Sequence, residues 1–131
     1  MTSRRIALFV MIASIFLLQG CMLHHSAGSV RGSLLKRTPI GTRYESVEAF
    51  VKSEGWHWEA SSWVGSRGSR KERGYEIATG SRTNEVGKAM GAYLGDYGVL
   101  PVSQWQVSGW WLFDSNNQLI DICVVKRLMG L

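Results

Sequence analysis

Alternation of apolar and polar side chains is clearest toward the end of the chain. Over residues 102–113, Trp105, Val107, Trp111 and Phe113 fall on one side of an extended backbone, which predicts a strand. Asp114-Ser115-Asn116-Asn117 then supplies turn chemistry, because Asn tolerates positive φ. Residues 118–125 read as the return strand, with Ile120, Ile122 and Val124 on one face. A turn centred on Ser115-Asn116 or on Asn116-Asn117 sets these opposite Trp111 and Phe113; the two registers differ by two residues and keep the same face buried. The same alternation sends Trp110, Leu112, Leu119, Cys123 and Val125 to the second face, around Asp121. That face is too apolar for plain exposure to solvent. Either residues 89–97 or the N-terminal linker cover it, or it binds a partner through Trp110, Leu112 and Leu119, with Trp110 as anchor.

Upstream the period changes. Tyr44, Val47, Phe50 and Val51 recur at helical spacing, with Thr42 as expected N-cap, Glu45 completing a capping box, and Gly55 ending the helix. Residues 56–64 alternate loosely around Trp56, Trp58 and Trp63 and predict a strand. Residues 65–74 predict a basic, glycine-rich loop, residues 75–79 a short strand, and residues 80–88 a turn. Residues 89–97 read as a strand interrupted by Gly91 and Gly95. The expected fold is α+β: an N-terminal signal helix, then one helix packed on an antiparallel sheet of three to five strands ending in a β-hairpin.

The start of the chain has a different pattern. Arg4 and Arg5 precede thirteen uncharged, almost wholly apolar residues, 6–18. That is the n-region and h-region of a secretory signal, and it falls short of the roughly 20 residues of a membrane-spanning helix. Residues 1–20 are the expected signal peptide, residues 21–37 a lipid-attachment cysteine with a flexible linker, and residues 38–131 one small domain. The linker assignment rests on Ser26, Gly28, Ser29, Gly32 and Ser33. As a coil it would hold the domain about 20–25 Å from its anchor.

Leu18-Gln19-Gly20-Cys21 closely resembles the lipobox of bacterial lipoproteins. The resemblance implies diacylglyceryl transfer to the Cys21 thiol, cleavage between Gly20 and Cys21, and acylation of the new amino group. It also implies an envelope protein held by its acyl chains. In a Gram-negative host, Met22 after the cysteine fits the outer membrane, facing the periplasm. Two further stretches resemble the small outer-membrane lipoproteins of the barrel-assembly machinery, of the SmpA/OmlA type. One is Gly41-Thr42 with Val47 following; the other is Trp111-Leu112-Phe113-Asp114-Ser115-Asn116-Asn117-Gln118-Leu119. With the lipobox they span 20 of the 131 residues. That family's Leu-Gly-x-Pro helix end is replaced here by Glu54-Gly55-Trp56-His57-Trp58, and Asn117 stands where the family has glycine.

Composition narrows function mainly by exclusion. The chain has 131 residues, 45% hydrophobic and 19% charged, which suits one globular domain. Its formal charge is +5. Without Arg4 and Arg5 it is about +3, too mild to point to nucleic acid. If Cys21 is lipidated, Cys123 has no disulfide partner. No serine has glycine at both −2 and +2, and Gly87-Lys88 lacks the upstream glycine of a phosphate loop. Glu45 with Glu48, and His57 with Glu59, read first as solvated surface pairs; His24-His25 lacks further metal ligands at suitable spacing. Arg67, Arg70, Lys71 and Arg73 form the densest charge cluster, a candidate contact for anionic headgroups or an acidic partner. No catalytic residue, metal site or cofactor is expected. The sequence favours a non-enzymatic interaction module with an envelope protein partner. The alternative is a periplasmic binding or inhibitor protein acting on a soluble ligand or exported enzyme.

Overall fold

The computed structural model describes residues 26–61, 70–72, 74–80, 86–99 and 103–129. The expected signal peptide, Gly20 and Cys21, His24-His25, Arg67 and Arg73 lie outside the described residues. Two helices are described, α1 (Ala27–Arg37) and α2 (Tyr44–Ser53). The strands are β1 (Trp58–Ser61), β2 (Arg70–Glu72), β3 (Tyr75–Ala78), β4 (Lys88–Val99), β5 (Ser103–Phe113) and β6 (Leu119–Met129). They form one antiparallel sheet in the order β1-β4-β5-β6-β3-β2. The fold is α+β, as the sequence suggests, with a wider sheet and an additional helix.

That helix, α1, corrects the flexible-linker assignment for residues 27–37. Ser26 caps it, its hydroxyl accepting a hydrogen bond from the Ser29 amide at 3.2 Å. Ala27, Val30 and Leu34 fall on one face and are fully buried. Lys36 and Arg37 sit in the last turn, where cations favour the helix dipole. Packing on β6 and β3 outweighs the poor helix propensity of its glycines and serines. At its C-terminal end the buried Thr38 hydroxyl donates to the Leu34 carbonyl at 2.9 Å and accepts from the Trp111 indole N–H at 3.0 Å. The helix end and the largest core side chain therefore satisfy each other's polar groups.

In α2 the expected N-cap is also corrected. Arg43 holds that position without a side-chain bond, because the Thr42 hydroxyl turns back to the Pro39 carbonyl at 2.6 Å. Gly55 ends the helix at φ 72°, as its spacing predicts. Val47 and Val51 are buried, and Phe50 stacks edge-on to Trp56 and Trp111. Both helices thus cover the sheet face that carries Trp111, Phe113, Val107, Ile122 and Val124.

The closing hairpin forms as expected, through a turn centred on Ser115-Asn116. The Asn117 amide donates to the Asp114 carbonyl, and Asn117 adopts φ 60°. The Asp114 carboxylate accepts from the amides of Asn116 and Gln118. Beyond the turn, simple alternation fails. Phe113 pairs with Leu119 but Leu112 pairs with Asp121, so Ile120 is the extra residue of a β-bulge. The bulge moves Leu119 into the main core beside Phe113 and sends Ile120 to the opposite face with Leu112. Ile122 and Val124 keep their expected places.

Candidate functional site

On the sheet face away from the helices, β4 and β5 build an open groove from their register. Gly91 pairs with Trp110, and Tyr93 pairs with Ser108. A Cβ on Gly91 would come within 2.6 Å of the Trp110 ring, so the indole lies directly on bare backbone that only glycine provides. His57 joins from the segment before β1, where its carbonyl accepts the Tyr93 amide at 3.1 Å. With Gln106, these side chains line a groove of about 280 Å³. Burial, then the hydrogen bond and charge of Asp96, push the Tyr93 hydroxyl up to about 12. It therefore remains a neutral phenol at physiological pH. The groove offers two aromatic rings, an amide, two hydroxyls and an imidazole, which suits stacking and hydrogen bonding.

The sequence-derived partner surface is brought together only in part. Trp110 is half-buried beside the groove. Leu112 is fully buried with Ala89 and Ile120, and Val86 and Trp110 pack around this second cluster. Leu112 is therefore buried within the domain, but not by the expected cover: residues 89–97 form β4, beside β5 in the same sheet, and α1 packs into the main core. Leu119 belongs to the core under the helices. Neither leucine can touch a partner without unfolding.

Cys123 pairs with Trp110, so it lies off the main core face as the alternation predicts, and it is fully buried. Burial pushes its thiol up to about 12. A thiol so disposed is a poor nucleophile.

A second buried polar group was not legible from the sequence. Asp121 is 2% exposed and binds Arg31 of α1 at 2.5 Å. Its carboxylate also accepts from the amides of Gly80 at 2.6 Å and Ile122 at 2.7 Å. The Arg31 Nε donates to the Ile122 carbonyl at 2.7 Å. These bonds pin α1 to β6 and to the chain leaving β3. Lys126, 2% exposed, is buried on the helix-covered face with its Nζ 4.5 Å from the Tyr97 ring centre and 5.8 Å from that of Trp105. The ring faces offset part of the loss of hydration.

Of the basic cluster, Arg70 and Lys71 lie in strand β2, not in a loop, at register positions opposite Ile77 and Glu76. On α2, Glu48 is bound by Lys52 at 2.8 Å and Glu45 lies 3.8 Å from Arg43, so the two carboxylates do not form a dyad. Among the described residues no group of three His, Cys, Asp or Glu side chains could hold a metal ion, and no helix is long and apolar enough to cross a membrane. The chain matches no family model, no curated protein and no solved structure.

Proposed function

We propose that this chain is a lipid-anchored cell-envelope protein whose domain serves, without catalysis, as a protein–protein interaction module. The observation that carries this reading is the order of the N-terminal sequence: arginines, a short apolar run, then Leu18-Gln19-Gly20-Cys21. Acyl chains on Cys21 would contribute about 0.8 kcal/mol per buried CH₂, enough for stable anchoring with two or three chains. In a Gram-negative host the expected address is the outer membrane, facing the periplasm.

The partner surface is the groove side of the sheet. Trp110 anchors it, with Tyr93 and His57 alongside; Leu112 and Leu119 no longer belong to it. The resemblance to barrel-assembly lipoproteins suggests an integral envelope partner. The groove also gives the alternative a physical basis: its mixture of rings and hydrogen-bonding groups fits a soluble ligand of modest size. Recovery from crosslinked membranes distinguishes the two. The interaction module predicts an integral-membrane protein captured by the native chain and lost with Trp110→Ala in protein that remains folded, at a modest cost in melting temperature because the indole packs against the Leu112 cluster. Capture of a soluble protein alone would favour the alternative. Loss of several degrees of melting temperature with capture intact would make Trp110 a packing residue and remove the proposed surface.

A further inference from the structure

We infer that the end of the sheet bearing Tyr75, Arg127 and Met129 docks on the anionic surface of the bilayer that holds the lipid anchor. The inference rests on lipidation of Cys21 and adds the orientation of the domain. Its basis is where α1 begins. The Ala27 amide donates to the Glu76 carboxylate of β3 at 2.7 Å. Glu76 pairs with Lys126, so the start of α1 lies level with that part of β6. From there α1 runs toward the closing hairpin, since Arg31 reaches Asp121 and Ile122. The Ala27 end of α1 is thus the end nearer Met129.

Distances decide which end can meet the membrane. Six peptide units join Cys21 to Ala27, at most about 20 Å when extended. Met129 lies three residues beyond Lys126, about 10 Å along the strand, whereas the hairpin turn lies about 30 Å the other way. The near end can touch the surface while the anchor is inserted; the hairpin then points away.

The residues at that end suit an interface. Tyr75 and Met129 are among the few exposed large hydrophobic side chains. Arg127, exposed and paired in register with Tyr75, holds its guanidinium 5.8 Å from the Tyr75 ring centre. An aromatic ring at headgroup depth beside a phosphate-binding cation is a common interfacial arrangement. On β2, Glu72 sits level with Tyr75, and Lys71 and Arg70 lie one and two residues farther from this end.

The test uses the lipidated full chain in vesicles of phosphatidylcholine and phosphatidylglycerol. An environment-sensitive fluorophore is placed by Met129→Cys, or by Ser115→Cys at the hairpin, and quenched with a headgroup nitroxide lipid. Buried Cys123 stays unlabelled. We expect severalfold stronger quenching at position 129 than at 115. It should fall severalfold in phosphatidylcholine alone, or with Arg127→Glu and Tyr75→Ser at unchanged melting temperature. Equal quenching at both positions, or none at 129 while the protein remains on the vesicles, would overturn the orientation alone. Release from the vesicles would overturn the anchor together with it.

Discussion

Trp111 shows how one side chain links local and long-range structure. Its indole N–H is satisfied by Thr38, which in turn caps α1 through the Leu34 carbonyl. Replacing Thr38 by Val should orphan the buried N–H and cost about 1–3 kcal/mol, read as a lower urea midpoint at unchanged slope. Cys123 gives a chemical prediction. Its folded-state value, about 12, lies above the ordinary thiol value of 9.0. Its stabilising contribution is therefore complete below about pH 9 and is lost as pH rises toward 12. At pH 8.5 to 9, native protein should resist iodoacetamide and become labelled only on unfolding; rapid native labelling would contradict the burial. The strand alternation places Cys123 correctly on the second face. Its complete burial depends on neighbours in other strands, which alternation does not specify.

At the scale of elements, α1 is the largest departure from the sequence reading. Its glycines and serines have linker composition, while its core residues Ala27, Val30 and Leu34 are few and small in number against them. The helix becomes visible only when β6 and β3 provide the surface that its narrow apolar stripe fits. The carboxylate that binds Arg31 lies 90 residues further on, at Asp121, a separation no local pattern spans. Arg31→Met leaves that buried carboxylate with backbone donors only and should destabilise by about 2 kcal/mol, less than for a fully buried pair because Arg31 is partly exposed. Urea unfolding measures this; an unchanged midpoint would mean that the pair does not secure α1. The exchange of Leu119 for Ile120 has a different origin. Alternation has no means of registering a bulge, and one extra residue inverts everything between it and the turn. The candidate groove was legible only through Trp110. Gly91 read as a weakness in a strand, whereas its missing Cβ makes room for the indole. Gly91→Ala should displace Trp110 and lower stability by about 1–3 kcal/mol, with a blue- or red-shifted tryptophan emission reporting the ring's movement.

For the whole molecule, the two faces of the sheet divide the work. One carries both helices and most of the core; the other carries a small buried cluster and the open groove. α1 starts close behind the proposed lipid attachment and is tied to β3 and β6, so anchor and domain are joined by a short tether. The account depends most on Cys21. Mass spectrometry of the membrane-extracted mature protein, after growth with labelled palmitate, tests it directly. The prediction is an acylated N-terminal peptide beginning at Cys21, with Cys21→Ser giving unlabelled, uncut precursor. Normal maturation of Cys21→Ser by cleavage elsewhere, or an unmodified Cys21 in the mature native protein, would contradict it.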